Sequence, residues 1–366
     1  MSDDQSAIAL ATRILDILDQ GSFSATYKYA LFIAVLDLTI SKNTKGALPT
    51  TLTTRELAER LIEVYWPHAS PFNTGTVPRQ GGVRSGSQAE IVEAIVRFRA
   101  EGAGSPADLR HRARLARPES FKKLVRFVEW KLIEMPIPRL QVLGREEDRF
   151  LYEYNWSKEI RRGEVSAYLQ DLPSQFDNRL LLKPGVAESL VRLNSLLRPL
   201  IQREWAVMVA SMNDQPEAKL EAFLFDQSRV SLEPVRRPLH ALQSGRCFYC
   251  GRLIDGQVHV DHFLPWAHYH DNSLDNLVAA HPQCNAKKSD HLATVIHVEQ
   301  WRDRAKKLGE PLGKISADLM WEHGADRSRG VALTIYGYLS PSARLWRSGD
   351  SFEPADKKRL LELLSA

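Results

Sequence analysis

The stretch Cys247–Asp290, CFYCGRLIDGQVHVDHFLPWAHYHDNSLDNLVAAHPQCNAKKSD, concentrates the metal-binding side chains of this 366-residue chain. All three cysteines fall within it, and seven of the eleven histidines lie between His259 and His297. Few, clustered cysteines favour a metal site or a free thiol in a reducing compartment over the disulfide framework of a small secreted protein. The stretch is therefore a candidate metal-binding domain.

Two pairs of ligands bracket this stretch. Cys247-Phe-Tyr-Cys250 places two thiolates at the spacing that binds one tetrahedral zinc ion. His281-Pro-Gln-Cys284 adds a second pair with the same spacing. The four side chains form a Cys3His set, which is the number of ligands that a closed structural zinc site needs. A thioredoxin-like redox pair is the alternative, but no βαβ pattern surrounds the CxxC motif.

Between the two pairs, the pattern predicts two short strands and a helix. Residues 258–263 alternate in polarity as a strand does, which would direct Asp261 and His262 to opposite faces. Asn276 belongs to SLDNLV, a second short strand, and Asn285 opens AKKSDHLATVIHVEQW, a predicted helix. The predicted order is strand, loop, strand and helix.

In order and spacing, CxxC, VDHFLPW, DNLV and CNAKK resemble the HNH (His-Me finger) nucleases, whose core is a ββα fold around one metal ion. The resemblance covers about residues 245–288 and implies a metal-dependent endonuclease. It implies that His262 is the general base, and that Asp261 and Asn285 bind a catalytic divalent cation, Mg²⁺ or Mn²⁺. It further implies that Asn276 braces the loop that carries the histidine.

The same resemblance implies that the Cys3His set, Cys247, Cys250, His281 and Cys284, holds a structural Zn²⁺. Many relatives have CxxC where this chain has HxxC, and histidine is an ordinary zinc ligand. A second departure is Ser289, at a position where some members carry a further metal-binding histidine.

The implied chemistry agrees with the residue types. An imidazole with an ordinary pKa of about 6.5 accepts a proton from water near neutral pH. A cation held by carboxylate and amide oxygens neutralises charge on a phosphate and on the leaving 3′-oxygen. Lys287 and Lys288 are near enough in sequence to contact the backbone of the substrate, and plain surface lysines are the equal alternative.

The remainder of the chain is predicted to be helical, so the fold class is mainly α with a small α+β element. The predicted divisions are a helical N-terminal subdomain, a Gly/Pro/Arg loop, a helical region with a β-hairpin near 139–156, the ββα-metal HNH domain and a C-terminal helical extension. Their boundaries are 1–66, 67–88, 89–242, 243–310 and 311–366.

Three local signals support these helices. Thr53 and Glu56 form a capping box before an amphipathic run. The stretch TYKYALFIAVLDLTI is almost continuously apolar, which predicts a buried helix. A long helix is predicted from Val186 to Met212, with a kink at Pro199.

Two basic segments are candidates for nucleic-acid binding. Arg79 and Arg84 lie among glycines in the loop 67–88, where the backbone can approach phosphates closely; a solvated linker is the alternative. The segment Arg110–Glu134 carries eight Lys or Arg residues against three Glu, and it predicts either a nucleic-acid-binding face or a solvated helix face.

Composition limits the function classes. The net charge of +4 and the pI near 8.9 permit a polyanionic partner without requiring one. No apolar run approaches 18 residues, and the first residues lack the pattern of a signal peptide, so a cytoplasmic protein without a membrane span is expected.

The main functional prediction is a metal-dependent endonuclease that hydrolyses phosphodiester bonds in DNA, with a role in bacterial restriction or anti-phage defence by analogy of architecture. The alternatives are an RNA-cutting or mobile-element nuclease and a zinc-stabilised nucleic-acid-binding module without catalysis. The amino-terminal helices are predicted to bind substrate, sense a signal, form a homo-oligomer or bind a partner protein.

Overall fold

The computed structural model describes residues 3–20, 25–72, 75–82, 86–102, 110–144, 146–225 and 231–365. The chain is mostly helical and divides into two compact units. The amino-terminal unit comprises Met1–Thr39 and Pro49–Asp226, and the carboxy-terminal unit comprises Ile40–Leu48 and Gln227–Ala366. No helix in the described ranges is long and apolar enough to cross a membrane.

The amino-terminal unit is built mainly from helices, with short strands between them. The helices are α1 (Asp3–Gln20), α2 (Tyr27–Ser41), α3 (Thr54–Tyr65), α4 (Glu90–Ala100), α5 (Arg110–Ala116), α6 (Pro118–Glu134), α7 (Pro136–Leu140), α8 (Ser166–Leu169), α9 (Val186–Asn213) and α10 (Glu217–Phe225). The strands are β1 (Thr51–Thr53), β2 (Val142–Leu143), β3 (Glu146–Glu147), β4 (Tyr152–Tyr154) and β5 (Arg179–Leu182). Short 3₁₀ turns lie at Pro67–Ala69 and Arg162–Val165.

The capping box, the buried apolar helix and the long helix are confirmed, and the kink at Pro199 stays a prediction. Thr53 caps α3, and its side chain and the Glu56 carboxylate form the reciprocal capping box. Every residue from Tyr29 to Leu36 in α2 is at most 5% exposed, because a helix that is apolar on all sides is stable only inside a core. Helix α9 runs through Pro199 and ends at Asn213.

The predicted hairpin near 139–156 is shorter than expected. Strands β2 and β3 pair antiparallel over two residues each, next to Gly144 at φ 60°. The following apolar run, β4, pairs with β5, and β5 pairs with β1, which gives a three-stranded sheet in the order β1-β5-β4. The alternation in sequence identified the strands, but the partner of β4 comes from more than twenty residues further along the chain.

A buried ion-pair network joins three helices of this unit. Asp37 of α2 is 1% exposed, and its carboxylate accepts from Arg60 Nη2 of α3 at 2.6 Å and from Arg198 of α9. Burial raises the pKa of Asp37, but the two guanidinium groups outweigh this effect and hold that pKa below its usual 3.8. The carboxylate therefore remains charged inside the helical core.

The carboxy-terminal unit contains the metal-ligand-rich stretch Cys247–Asp290. Its elements are α11 (Glu233–Leu242), β6 (His259–His262), β7 (Leu277–Ala280), α12 (Pro282–Lys288), α13 (Val295–Leu319), α14 (Ala325–Gly337), β8 (Arg344–Ser348), β9 (Ser351–Pro354) and α15 (Lys357–Ser365). Strands β6 and β7 pair antiparallel, with His259 opposite Ala280 and His262 opposite Leu277. Helix α12 follows β7 directly, so the predicted order of strand, strand and helix is present.

Two expectations for this unit were wrong. The helix predicted from Ala286 onward is interrupted, because α12 ends at Lys288, Ser289 has φ 46°, and α13 begins only at Val295. The predicted C-terminal helical extension also contains the hairpin β8–β9, which turns at Gly349 with φ 50°. Trp346 of β8 is buried 5.2 Å from the Tyr249 ring, so this hairpin belongs to the core around the ββα motif.

Candidate active site

The four cysteine and histidine ligands converge. One ligand atom from each of Cys247, Cys250, His281 and Cys284 lies within 4.8 Å of the other three. Gly251, at φ 69°, closes the first knuckle, and its N–H donates to Cys247 O at 2.9 Å. His281 is the N-cap residue of α12 and Cys284 lies in that helix, so the site fastens the helix to the knuckle.

The hydrogen-bond partners of His281 indicate which of its ring nitrogens can bind a metal ion. Nε2 lies 3.0 Å from Leu253 O, and because a carbonyl only accepts, Nε2 carries the proton. Nδ1 then has the lone pair, and it lies 3.3 Å from Cys250 Sγ. A carbonyl that holds the outer imidazole nitrogen is the usual support of a metal-bound histidine.

The thiols also fit a cation. Burial and the nearby Cys247 and Cys250 raise the pKa of Cys284 to about 12. Three crowded sulfurs cannot all be thiolates without a compensating positive charge. Three sulfurs and one imidazole in a closed cluster are a ligand set that zinc favours, so these residues fit a structural Zn²⁺.

Asp261 lies on β6 with its carboxylate directed inward. The residue is 7% exposed. Its Oδ2 accepts from Tyr249 Oη at 2.5 Å and lies 3.2 Å from Lys288 Nζ. Burial and the adjacent Asp261 carboxylate raise the pKa of Tyr249 well above 10, so the phenol remains a donor. In the described part of the chain, these side-chain contacts all use Oδ2 and leave Oδ1 available to another ligand.

Lys288 is fully buried, which is rare for a lysine. Besides Asp261, its ammonium group donates to His262 O at 2.8 Å. Burial lowers the pKa of Lys288, and Asp261 opposes that shift. The sequence left Lys288 equally open to contact with a nucleic-acid backbone or to a plain surface position, and its burial supports neither; Lys288 holds β6 against α12 instead.

His262 follows Asp261 and is half-buried. Its Nε2 lies 2.8 Å from Asn272 Oδ1, and its ring centroid lies 5.3 Å from that of Trp266. Because the amide oxygen only accepts, Nε2 carries the proton and Nδ1 keeps the lone pair. Burial lowers the pKa of His262, while the hydrogen bond that its Nε2–H donates to Asn272 opposes the shift. The neutral imidazole is therefore a base near neutral pH.

Asn276 is fully buried and holds the loop that follows His262. Its Oδ1 accepts from Leu264 N at 2.7 Å, and its Nδ2 donates to Leu264 O at 3.1 Å and to Asp271 O at 3.0 Å. The loop is fixed further where Arg327 pairs with Asp271 at 2.8 Å. These bonds fix the backbone on both sides of Asn272.

Asn285 lies in the first turns of α12 and contacts β6. Its Nδ2 lies 3.3 Å from Nδ1 of His259, two residues before Asp261 on the same strand. Carboxylate and amide oxygens are the donors that Mg²⁺ and Mn²⁺ accept. Asp261 has one oxygen held and the other available, and Asn285 lies on the helix that faces it, so the two residues fit a divalent cation.

Three contributors to this site are not evident from the sequence. Asn272, Tyr249 and the interior role of Lys288 depend on contacts across ten to twenty-seven residues of chain. For Asn272 the sequence offers one signal, which is that it lies in a run of polar residues, His270–Ser273. The motif spacing identified the reactive side chains but not the residues that orient them.

The remaining nucleic-acid candidates have varied surroundings. Lys287 is exposed and pairs with Asp350 at 2.6 Å. The Arg79 guanidinium donates to Met212 O and to Gly86 O, so it ties the loop to the end of α9. Arg84 lies outside the described residues.

Several cations of the segment Arg110–Glu134 already have partners within the amino-terminal unit. Arg126 pairs with Asp171 at 2.6 Å, and Lys131 pairs with Glu90 at 2.9 Å. The Arg117 guanidinium lies 4.0 Å from the centroid of the Phe98 ring. These contacts favour the solvated, ion-paired helix face over a nucleic-acid-binding face.

Two family models match separate parts of the chain. The model described as HNH endonuclease matches residues 244–294, and the model described as domain of unknown function (DUF8808) matches residues 6–224. No curated protein and no solved structure matches the chain. The first match coincides with the ββα motif and its Cys3His cluster, which confirms the resemblance to HNH nucleases.

Proposed function

We propose, since the chain belongs to the DUF8808 family and carries an HNH endonuclease domain, that it is a metal-dependent endonuclease acting on DNA. The observation that carries the proposal is the arrangement around β6. The Nε2 atom of His262 is held by Asn272. His262 directly follows Asp261, a buried carboxylate that contacts Lys288 on α12, the helix that also carries Asn285. A module that only binds nucleic acid has no need for a neutral imidazole held in this way.

In the proposed reaction, water attacks a phosphodiester phosphorus and the 3′-oxygen leaves. His262 Nδ1 accepts the proton of the attacking water, while Nε2–H remains bonded to Asn272. Asp261 and Asn285 would hold Mg²⁺ or Mn²⁺, which when bound neutralises charge on the phosphate and on the leaving oxygen. Tyr249 and Lys288 keep the Asp261 carboxylate in place.

The structural zinc has a separate task in this proposal. Two four-residue strands and a seven-residue helix are too small to hold a precise geometry by burial alone. A Zn²⁺ at the Cys3His cluster would fix the start of α12 and hence the position of Asn285. The reducing cytoplasm, which keeps cysteines as thiols, is the compartment that suits this cluster.

A role in bacterial defence, restriction or anti-phage, is part of the proposal. It is supported by the architecture, in which a large helical region precedes a nuclease domain. The helical unit would then recognise the substrate or a partner protein, or form a homo-oligomer.

The experiment that tests the proposal is an assay of substrate and product. Purified protein is incubated with supercoiled plasmid, single-stranded DNA or RNA, with Mg²⁺, Mn²⁺ or EDTA, beside Asp261→Asn. We expect cation-dependent cutting of DNA that leaves 5′-phosphate and 3′-hydroxyl ends and is lost in the variant. A preference for RNA would show that the substrate is RNA and not DNA. Cutting in EDTA or by Asp261→Asn would overturn the metal dependence. No cutting of any nucleic acid would leave the binding module as the better account.

A further inference from the structure

Two side chains of β6 face two side chains of α12. His259 and Asp261 alternate along the strand and share one face, and Asn285 and Lys288 lie one helical turn apart and share one face. The facing pairs are His259 with Asn285, at 3.3 Å between Nδ1 and Nδ2, and Asp261 with Lys288, at 3.2 Å between Oδ2 and Nζ. The proposed catalytic cation has its two expected ligands, Asp261 and Asn285, on this same pair of faces.

The first pair has the separation of two ligands on one cation. Asn285 must present Oδ1 to a metal, and a half-turn of its amide about χ2 brings Oδ1 to the position that Nδ2 holds. Neighbouring ligands of a six-coordinate cation, with bonds of about 2.1 Å, lie about 3 Å apart. The observed 3.3 Å between Asn285 Nδ2 and His259 Nδ1 is close to that value.

The lone pair of His259 is directed to the same place. Because the amide N–H group donates to Nδ1, that nitrogen carries a lone pair and no proton. An imidazole nitrogen that lies next to an amide, on the same strand face as a carboxylate, is in a common position for a metal ligand.

We infer that His259 is the third protein ligand of the catalytic cation. The inference rests on the proposed function and specifies its cofactor. An imidazole beside two oxygen donors moves the preference of the site from Mg²⁺, which favours oxygen, toward Mn²⁺ and other borderline divalent ions. The competing role for His259 is to orient Asn285 by a hydrogen bond, without a bond between nitrogen and metal.

The test is pulsed electron paramagnetic resonance of Mn²⁺ added to the zinc-loaded protein in the absence of nucleic acid. A directly bound imidazole gives a nitrogen hyperfine coupling on Mn²⁺. We expect this coupling in the wild type and in His262→Ala, and we expect its loss in His259→Ala. His291→Ala is the matched control and should retain the coupling. The His291 ring is exposed, and among the described ring contacts it packs only against Phe352, at 4.9 Å between ring centroids.

Equilibrium binding gives a second readout. In His259→Ala the ratio of Mn²⁺ to Mg²⁺ affinity should fall by at least about tenfold, which is the lower end of the loss caused by removing even an outer-shell partner. Zinc content and far-UV circular dichroism of each variant check that the fold is intact.

The outcomes separate this inference from the proposed function. Mn²⁺ that binds in wild type, is lost in Asp261→Ala and shows no nitrogen coupling overturns the role of His259 and leaves the cation site intact. Nitrogen coupling that persists in His259→Ala and vanishes in His262→Ala also overturns the role of His259. The imidazole bound to Mn²⁺ would then be that of His262, the proposed base. Mn²⁺ that does not bind through Asp261 contradicts the proposed metal centre itself.

Discussion

Lys287 and Lys288 are neighbours in sequence, but they have opposite surroundings. Lys287 is 54% exposed and pairs with an exposed aspartate, whereas Lys288 is fully buried between Asp261 and the carbonyl oxygen of His262. An exposed ion pair contributes about 0–1 kcal/mol to folding, but breaking a buried one costs about 3–5 kcal/mol. The two residues therefore provide a matched pair of substitutions.

Replacing Lys288 with Met should lower the free energy of unfolding by about 3–5 kcal/mol, because the Asp261 carboxylate loses its buried cationic partner. Lys287→Met should change it by less than about 1 kcal/mol. Urea unfolding of the zinc-loaded protein measures both. Equal losses in the two variants would contradict the interior role of Lys288.

Asn272 fixes the orientation and tautomer of His262 through the bond at 2.8 Å. Asn272→Leu removes the acceptor, so the imidazole should show a mixture of tautomers in place of the Nε2–H form. A lost hydrogen bond of about 1–1.5 kcal/mol corresponds to about a tenfold fall in cleavage rate. Nitrogen-15 NMR of labelled histidine reads the tautomer directly, and an unchanged Nε2–H signal in the variant would show that Asn272 does not set it.

Much of the candidate site follows from sequence because its spacing is local. The zinc ligands occur as two pairs, each with two residues between its members, and Asp261 precedes His262 directly. Tyr249 and Asn272 were not identified, because their roles arise only when the knuckle and the loop return to β6. A hydrogen bond between distant residues leaves no periodic trace in one sequence.

Among the secondary-structure elements, the helices that local sequence signals specify were predicted correctly. The errors occurred where an element depends on pairing or packing with distant residues. The capping box and the apolar α2 needed only neighbouring residues, so α2 and α3 were predicted well. The hairpin β8–β9 was read as part of a helical extension, although its turn at Gly349 gives a local signal. The break at Ser289 was missed because no proline marks it; the positive φ is imposed by the fold around α12.

The buried network of Asp37, Arg60 and Arg198 holds α2, α3 and α9 together. Asp37→Asn would remove the carboxylate between the buried Arg198 and Arg60 guanidinium groups, of which Arg60 keeps its pair with Glu63, and it should destabilise the amino-terminal unit by about 3–5 kcal/mol. Glu93→Gln, which removes the exposed pair with Arg97, is the control and should cost less than about 1 kcal/mol. Thermal unfolding compares them, and a small effect of Asp37→Asn would contradict a net contribution from the network.

The same network gives a pH dependence with a definite sign. The folded pKa of Asp37 lies below its unfolded value, so the stability it contributes is fully present above about pH 4. That contribution is lost as the pH falls through the lowered folded pKa. Wild type should therefore lose more stability than Asp37→Asn below about pH 4, and parallel acid profiles would contradict this assignment.

At the scale of the whole molecule, the two family matches correspond largely to the two structural units. The DUF8808 match covers most of the amino-terminal unit and also the segment Ile40–Leu48 of the other unit, and the HNH match lies inside the carboxy-terminal unit. The carboxy-terminal unit contains the Cys3His cluster, and among the described residues no similar cluster occurs in the helical unit. Metal should therefore stabilise one unit and not the other.

Cys284→Ser should reduce bound zinc from about one ion per chain to a small fraction, because the serine hydroxyl is a much poorer ligand than a thiolate. Calorimetry should then show a lower melting temperature for the carboxy-terminal unit and an unchanged transition for the helical unit. Chelation of the wild type is the parallel test. A variant that keeps stoichiometric zinc, or a chelator that shifts both transitions equally, would contradict a structural zinc site in this unit.

The central claim is that His262 is the base of a metal-dependent nuclease. The most direct measurement is the single-turnover rate of DNA cleavage with saturating Mn²⁺ for wild type, His262→Ala and His291→Ala, each with verified zinc content. We expect a loss of about 10²–10⁴-fold in His262→Ala, the usual contribution of a general base, and little change in His291→Ala. Equal rates for wild type and His262→Ala would contradict the role of His262 as the base.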